Sequence, residues 1–202
     1  MPADPEPRAR PRDDLAGRLP PGQVATRAWP VLHHGPVPRV DLAAWRLTVD
    51  GLVENPLSLD WAAFSALPRE SRLADVHCVT QWSMLDAPWE GVPFPVLLAL
   101  ARPKPEARFV LQRASGGYTT NLPLAELPRP ESLLATHHAG EPLSPEHGGP
   151  CRAGVPNAYF WKSAKWLTGL TLLADDEPGF WERNGYDMRG DPWVEGRFRD
   201  DW

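Results

Sequence analysis

The sequence has few cysteines and lacks several cofactor-binding motifs, and each deficit excludes a class of protein. Its 202 residues contain only two cysteines, Cys78 and Cys151. Two thiols are too few for a disulfide-rich scaffold or for an iron–sulfur cluster held by four cysteines of this chain. The sequence has no Cys-x-x-Cys-His motif for covalent haem and no Gly-x-Gly-x-x-Gly fingerprint for a Rossmann dinucleotide site.

Excess positive charge and long apolar runs are absent as well. The formal net charge is −5 at pH 7, which argues against binding to nucleic acid or to a membrane surface. No apolar stretch is long enough to cross a bilayer. The N-terminal residues have neither the apolar core of a signal peptide nor the adjacent arginines of a twin-arginine signal. We therefore expect a cytoplasmic protein with no nucleic-acid or membrane partner.

Proline and tryptophan, in contrast, are abundant, with 25 and 10 residues. Many prolines together with many aromatic residues favour a mixed fold with long ordered loops over a helical bundle. Residues 1–22 lack apolar periodicity and are rich in proline, so they are predicted to form a disordered tail. Residues 23–202 are predicted to form one domain, because a chain of this length buries a core without disulfides.

Short strands and short helices are predicted along this domain. A helix is expected at residues 59–67, with Ser58 or Asp60 as its N-cap, and another at residues 95–101, which begins with a proline. Apolar alternation and flanking turn residues predict the strands. The predicted strands span residues 45–51, 73–79, 108–113, 133–138, 151–155 and 166–174. The mixture predicts the α+β class.

The most informative stretch runs from Asp75 to Ser83 and reads Asp-Val-His-Cys-Val-Thr-Gln-Trp-Ser. It places Cys78 where a short apolar strand gives way to a turn. A single thiolate suits a transition metal whose other ligands come from an organic cofactor. A free cysteine is also commonly a small buried hydrophobic residue, so that alternative stays open. Cys151 occupies an apolar strand position and is assigned to the core.

Two stretches that contain histidine add candidate polar contacts. His33 and His34 lie in an extended, proline-rich loop at residues 29–38. Adjacent histidines on an extended chain point in opposite directions, so they suit an extended polar ligand better than one metal ion; two solvent-facing histidines are the alternative. His147 and Arg152 flank Gly-Gly-Pro-Cys, where the glycines would let a ligand approach the backbone and the side chains would bind phosphate. A Gly-Pro turn between two strands, without a ligand, is equally compatible with this stretch.

Two aromatic stretches complete the candidates. The segment from Trp161 to Trp166 reads Trp-Lys-Ser-Ala-Lys-Trp. Its lysines and hydroxyl are suited to a phosphate or a flat heterocycle, while an amphipathic surface strand is the alternative. The segment at residues 179–186 ends in Tyr186, a possible hydrogen-bond donor in a site. A packed C-terminal loop is the alternative there.

Together, these five stretches resemble the sulfite-oxidase-like family of molybdenum–molybdopterin oxidoreductases. The resemblance extends over residues 29–198 in order and spacing, and it is closest to the short, single-domain bacterial members. It implies a sulfite-oxidase-type molybdopterin-binding fold with mixed β-sheets and short helices. It also implies molybdenum and molybdopterin as cofactors, with Cys78 as the single protein ligand to the metal.

The same resemblance implies roles for the other candidates. The loop histidines match a pterin-contacting pair, and a His-Gly-x-Pro-x-Arg motif and an x-x-Lys-Trp segment follow later in the chain. Ser115 is the nearest match to a polar residue that touches the cofactor after the central strand, and Tyr186 matches the active-site tyrosine. The implied cofactor-binding residues are His33, His34, Cys78, Ser115, His147, Arg152, Ser163, Ala164 and Lys165.

The implied reaction is a two-electron oxygen-atom transfer on a small substrate, either reduction of an S-oxide or N-oxide or a sulfite-like oxidation. Leu32 occupies the position at which sulfite oxidases carry a substrate-binding arginine. The absence of that arginine should weaken sulfite binding. A separate haem or flavin partner is expected to carry the electrons. The alternatives are a molybdopterin storage or carrier module without turnover, and an interaction domain with no cofactor.

Overall fold

The computed structural model describes residues 17–199 and has the expected α+β architecture, with eleven strands and three short α-helices in that range. The strands are β1 (Val24–Ala25), β2 (Arg46–Gly51), β3 (Leu57–Asp60), β4 (Glu70–His77), β5 (Trp82–Pro93), β6 (Phe109–Ala114), β7 (Thr119–Pro123), β8 (Leu133–His138), β9 (Glu141–Pro142), β10 (Arg152–Gly154) and β11 (Leu167–Leu173). The helices are α1 (Trp61–Ser65), α2 (Phe94–Ala101) and α3 (Phe180–Arg183). None of the described helices is long and apolar enough to span a membrane.

The strands form two mixed sheets. In the first sheet the order is β1-β5-β8-β10, with β4 also paired to β5 and β9 to β8. In the second sheet the order is β3-β2-β11-β6-β7. The pairs β1–β5 and β2–β11 are parallel, and the other pairs are antiparallel.

The main core lies on the second sheet and against α2. Leu47 and Val49 of β2 are fully buried, whereas Thr48 between them and Asp50 after them are partly exposed. This alternation follows from the two-residue period of a strand, which points successive side chains to opposite faces. Phe94 of α2 packs into the same cluster. A smaller apolar cluster covers one part of the first sheet.

The predicted helix at residues 59–67 is shorter in the structure: residues 59 and 60 belong to β3, and α1 ends at Ser65. Asp60, rather than Ser58, is the N-cap of α1: its Oδ1 accepts a hydrogen bond from the Ala63 amide at 2.8 Å. An N-cap carboxylate satisfies one of the unpaired amides at the start of a helix. The predicted helix at residues 95–101 is α2, which carries a proline in its first turn.

The long strand β5 was not predicted from the sequence, because its local pattern is irregular. Asp86 has a φ of 52°, and the pairing register of β5 shifts both against β4 and against β8. Gly91 is required within it, since a Cβ at this position would lie 2.0 Å from the carbonyl oxygen of Leu134. The strand is therefore determined by pairing on both sides rather than by alternation.

The predicted disordered tail coincides only in part with the described residues. Residues 1–16 lie outside the range that the structure describes. Arg18 forms ion pairs with Asp75 at 2.6 Å and with Asp86 at 2.8 Å. The domain boundary at residue 23 stays a prediction.

Candidate functional site

An open pocket of about 660 Å³ lies where loops from the ends of both sheets meet. Its walls come from the loop at residues 29–38, the turn after β4, the segment between β6 and β7, the start of β10, the approach to β11 and the region from α3 to Tyr186. Pockets of roughly 300–1,000 Å³ accommodate drug-sized organic ligands. The volume therefore suits an organic cofactor.

Cys78 lines this pocket from the turn that joins β4 to β5. Its amide donates to the Trp82 carbonyl at 2.8 Å, and its carbonyl accepts from the Gln81 amide at 3.0 Å. Its Sγ lies 3.2 Å from Thr80 Oγ1. Burial raises the pKa of the Cys78 thiol, while the hydrogen bond with Thr80 and the charge of Lys165 act in the opposite direction. A bound metal ion would favour the thiolate strongly enough to overcome the effect of burial.

The donor set around Cys78 fits a metal that arrives with its own organic ligand. Within residues 17–199, no group of three or more histidine, cysteine or acidic side chains is placed to hold a metal ion. Cys151 is fully buried in the main core and does not line the pocket. A metal bound at Cys78 would therefore take most of its ligands from outside the described part of the chain.

Arg152 is a buried cation without a carboxylate partner among residues 17–199, and it lines the pocket. Its guanidinium donates to the carbonyls of His147 at 2.8 Å and Ser163 at 3.1 Å, and it lies 4.1 Å from the centre of the Phe160 ring. Burial lowers the pKa of Arg152 to about 9. A buried charge is normally compensated by an opposite charge, so the pocket is suited to an anionic group such as phosphate.

Lys165 adds a second cation to the pocket. Its Nζ donates to the carbonyls of Leu32 at 2.8 Å and Glu146 at 2.6 Å. Burial, and secondarily the charge of Arg152, lowers the pKa of Lys165 to about 7. Gly148 makes room for this side chain, because a Cβ at Gly148 would lie 3.0 Å from the Cβ of Lys165.

The two glycines after His147 do not have the role expected from the sequence, which was to let a ligand approach the backbone. Neither lines the pocket. A Cβ at Gly149 would lie 2.2 Å from the Leu143 carbonyl oxygen. These glycines allow close approach of the protein to itself rather than of a ligand to the backbone.

His33 and His34 both line the pocket from the loop at residues 29–38. His33 Nδ1 lies 2.8 Å from the Gly35 carbonyl oxygen, so this nitrogen is the protonated one. The His34 ring lies 4.3 Å from the Phe180 ring, centre to centre. Leu32, from the same loop, also lines the pocket and brings no charge to it.

Tyr186 closes the side of the pocket formed by α3 and the residues after it. Its amide donates to the Trp181 carbonyl at 3.0 Å, and its ring contacts those of Trp161, Trp181 and Phe198. Burial raises the pKa of its hydroxyl, and the nearby thiol of Cys78 acts in the same direction. The hydroxyl therefore keeps its proton at neutral pH and has no hydrogen-bond partner among residues 17–199.

The structure brings most of the sequence-predicted residues to this single pocket: His33, His34, Cys78, Ser115, Arg152, Ser163, Lys165 and Tyr186. His147 and Ala164 are not among the lining residues. The His147 ring stacks on Trp29 with centres 3.9 Å apart, and its Nε2 lies 3.2 Å from the Trp29 carbonyl oxygen. Ala164 is buried, and its amide donates to Gln112 Oε1 at 3.1 Å.

Some residues of the site were not singled out from the sequence. Tyr118 lines the pocket, and its hydroxyl donates to the Trp161 carbonyl at 2.6 Å. The Ser-Gly-Gly turn that precedes it was a signal that could have identified it. Lys162, which the sequence grouped with the phosphate-binding candidates, instead forms a fully buried ion pair with Glu182 at 2.6 Å.

Comparisons with known proteins agree with this geometry. The family model for the oxidoreductase molybdopterin binding domain matches residues 34–181. The chain is 50% identical over 188 residues to the uncharacterized oxidoreductase YuiH of Bacillus subtilis (strain 168). This alignment covers 93% of this chain and 95% of YuiH.

Two longer proteins are more distant relatives. The chain is 33% identical over 164 residues to the protein-methionine-sulfoxide reductase catalytic subunit MsrP of Gluconobacter oxydans (strain 621H), covering 72% of this chain and 52% of MsrP. The crystal structure of the sulfane dehydrogenase SoxCD from Paracoccus pantotrophus superposes with a TM-score of 0.66 at 25% identity, covering 76% of this chain and 43% of that one. The chain thus spans about half the length of MsrP and less of SoxCD.

Proposed function

We propose that this protein transfers an oxygen atom to or from a small substrate in a two-electron reaction. The chain belongs to the sulfite-oxidase-like family of oxidoreductases with a molybdopterin-binding domain. It is therefore a molybdopterin-dependent oxidoreductase. The observation that carries the proposal is the composition of one pocket. A lone thiol, Cys78, lines it together with Arg152 and Lys165, two cations that have no carboxylate partner in the described range 17–199.

The residues of the pocket divide into those that hold the metal and those that hold the pterin. When bound, the molybdenum–molybdopterin group supplies the two-electron redox change and the point of oxygen-atom exchange. Cys78 ligates the metal, and Arg152 and Lys165 bind the terminal phosphate. His33, His34, Ser115 and Ser163 offer hydrogen bonds to the remaining polar edge. Ser163 Oγ accepts from the Val155 amide at 2.9 Å, so its own proton stays available for donation.

His147 and Ala164 support the cofactor site without lining the pocket. His147 stacks on Trp29, a pocket residue, and holds its carbonyl. The amide of Ala164 is tied to Gln112, which fixes the backbone between Ser163 and Lys165. Their contribution is to keep neighbouring side chains in place, as outer hydrogen-bond partners commonly do in metal sites.

Tyr186 is suited to the substrate side of the pocket. Its raised pKa keeps the hydroxyl protonated, so it can donate a hydrogen bond to the oxygen of a bound substrate and stabilise charge that develops there. Leu32 offers no positive charge to an anion such as sulfite. Reduction of a neutral oxide, R₂SO + 2e⁻ + 2H⁺ → R₂S + H₂O, is therefore the favoured direction, and the similarity to MsrP, named a protein-methionine-sulfoxide reductase, supports it.

The two electrons must come from outside the described residues. A separate haem or flavin protein is the proposed donor, since the sequence contains no covalent haem motif and no Rossmann fingerprint. The pocket is open on one side, which would give such a donor access to a metal held by Cys78.

The test begins with protein purified from a host that makes the cofactor. We expect near-stoichiometric molybdenum, a pterin fluorescence signal after denaturing oxidation, and turnover of dimethyl sulfoxide or trimethylamine N-oxide with a reduced dye. Cys78→Ser should lose metal and activity while much of the pterin stays bound, and the matched control Cys151→Ala should keep all three. Protein that binds pterin but turns over neither the oxides nor sulfite would instead be a storage or carrier module.

A further inference from the structure

We propose that Gln23 is a positioning residue for Cys78: its side-chain amide holds the backbone of the metal-ligating cysteine and thereby fixes the position from which the thiol projects. The inference rests on the proposed role of Cys78 as the molybdenum ligand. Gln23 lies just before β1, at the start of the predicted domain, and its side chain is buried.

The turn that carries Cys78 has few internal hydrogen bonds. The Cys78 amide donates to the Trp82 carbonyl, and the Cys78 carbonyl accepts from the Gln81 amide. Gln81 has a φ of 70°, which lies in the left-handed region that residues other than glycine rarely adopt. A tight turn with such a residue needs support from its surroundings to persist.

Gln23 supplies that support directly. Its Nε2 donates to the Cys78 carbonyl oxygen at 3.0 Å, so this oxygen accepts two hydrogen bonds, one from within the turn and one from outside it. The carbonyl carbon and Cβ are both attached to the Cα of Cys78. Fixing the carbonyl therefore restrains the backbone from which Cβ projects, while the χ1 rotamer, with Sγ 3.2 Å from Thr80 Oγ1, places the thiol on that backbone.

A directional chain of hydrogen bonds holds the Gln23 amide in turn. Ser83 Oγ donates to Gln23 Oε1 at 3.1 Å. Because a serine hydroxyl has only one proton, His77 Nδ1, 2.8 Å away, must donate to Ser83 Oγ. The order is therefore His77 to Ser83 to Gln23 to Cys78, with each donor matched to one acceptor. All four residues are at most 9% exposed.

The backbone around Gln23 is bound to the same turn. The Val24 amide donates to the Gln81 carbonyl at 2.9 Å, and the Thr26 amide donates to the Ser83 carbonyl at 2.8 Å. These bonds belong to the short parallel pairing of β1 with β5. The side chain of Gln23 thus approaches Cys78 from a segment that is itself fixed on the other side of the turn.

The experiment compares Gln23→Met with the wild-type protein. Methionine has a similar length and volume but donates no hydrogen bond to Cys78. Ser83→Ala removes the hydroxyl that orients Gln23, together with the acceptor for His77 Nδ1, and should act in the same direction more weakly because Gln23 itself remains. Val49→Ala, which removes methyl groups from the core of the second sheet, is the control for general loss of stability.

Two readouts separate this inference from the proposed function. On metal-free protein, the rate at which Cys78 is alkylated by iodoacetamide, followed by intact mass, should rise at least about tenfold in Gln23→Met and should stay near the wild-type rate in Val49→Ala. On cofactor-loaded protein, Gln23→Met should shift or broaden the Mo(V) electron paramagnetic resonance spectrum and should lose molybdenum to a chelator about 10- to 100-fold faster.

The outcomes are distinct. A wild-type protein without molybdenum would defeat the proposed function, while a faster alkylation of Gln23→Met would still show that Gln23 orders the Cys78 turn. Unchanged alkylation and an unchanged Mo(V) spectrum in Gln23→Met would overturn the inference and leave the proposed function standing. Equal effects of Gln23→Met and Val49→Ala would also overturn it, because the effect would then be one of stability alone.

Discussion

At the scale of single residues, the site is defined by two cations that have no carboxylate partner in the described part of the chain. Arg152 and Lys165 bond only to backbone carbonyls among residues 17–199. Burial lowers the pKa of both side chains, and it does so because the charged form is poorly solvated there. A ligand anion would reverse this effect by favouring the protonated forms. The pocket is thus arranged for an anion that residues 17–199 do not themselves provide.

Anion binding to the metal-free protein should depend on pH through Lys165. With a pKa of about 7, Lys165 is protonated below pH 7 and loses its charge as the pH rises through that value, while Arg152, with a pKa of about 9, stays charged. We expect the affinity for sulfate, whose charge is constant in this range, to fall about tenfold between pH 6 and pH 8, because a charge-assisted hydrogen bond of ~1.5 kcal/mol is lost. Isothermal titration calorimetry at pH 6 and pH 8 measures the affinity for sulfate.

Substitutions at the same position test this assignment. Lys165→Arg should bind sulfate with little dependence on pH, since an arginine keeps its charge in this range. Lys165→Met should bind weakly at both ends of the range. A wild-type affinity that does not change between pH 6 and pH 8 would contradict the assignment.

At the scale of the elements, α3 and the residues after it are attached to the second sheet by a buried polar cluster. Lys162 Nζ donates to Glu182 Oε1 at 2.6 Å, to Asn121 Oδ1 at 2.7 Å and to the Met188 carbonyl at 2.8 Å. Thr120 and Trp161 also donate to Glu182 Oε1. The cluster therefore joins β7, the approach to β11 and α3, and it holds the aromatic side of the pocket in place.

Breaking this ion pair on one side should destabilise the protein strongly. Glu182→Gln removes the carboxylate that pairs directly with buried Lys162 and leaves only the charges of Asp176 and Asp187 nearby, which should lower the free energy of unfolding by about 3–5 kcal/mol. The double substitution Lys162→Met with Glu182→Leu should recover much of that loss, because both charges are removed. Urea denaturation followed by circular dichroism measures both effects.

A surface ion pair provides the control. Glu54 pairs with Arg102 at 2.7 Å, with side chains that are 49% and 69% exposed. Glu54→Gln should change the free energy of unfolding by less than about 1 kcal/mol. A similar effect of Glu54→Gln and Glu182→Gln would show that burial of the Lys162–Glu182 pair has no special importance.

At the scale of the whole molecule, the pocket lies where the two sheets meet. Cys78 and Arg152 come from the first sheet and its connections, whereas Ser115 and Lys165 flank strands of the second. A ligand that contacts all four therefore bridges the two sheets. The predicted cytoplasmic location and the identity of the electron donor stay predictions at this scale.

Cofactor binding should consequently stabilise the entire fold. A ligand that binds only the folded state at 1,000 times its Kd adds about 4 kcal/mol to the free energy of unfolding. We expect the loaded protein to unfold at a clearly higher temperature than the metal-free protein in differential scanning calorimetry. Val49→Ala should lower both temperatures to a similar extent, while Arg152→Met should narrow the difference between them. An equal unfolding temperature with and without cofactor would contradict the bridging role.

Much of the fold follows from local pattern. The strands β2, β6, β8 and β11 lie within a residue or two of their predicted positions, because apolar alternation directly encodes which face of a strand is buried. The long strand β5 could not be predicted, since its twelve residues include two register shifts and a residue with positive φ. Its existence depends on pairing with strands on both sides.

The sequence by itself determined that Cys78 lies where a strand gives way to a turn, and that the candidate motifs occur in a family-like order. Only the tertiary structure decided which side chains share the pocket. His147 turns to Trp29 and Lys162 to Glu182, whereas Gln23 reaches Cys78 across 55 residues of sequence. The physical reason is that local sequence fixes backbone conformation and burial, while the partner of a polar side chain depends on which distant segments pack against it.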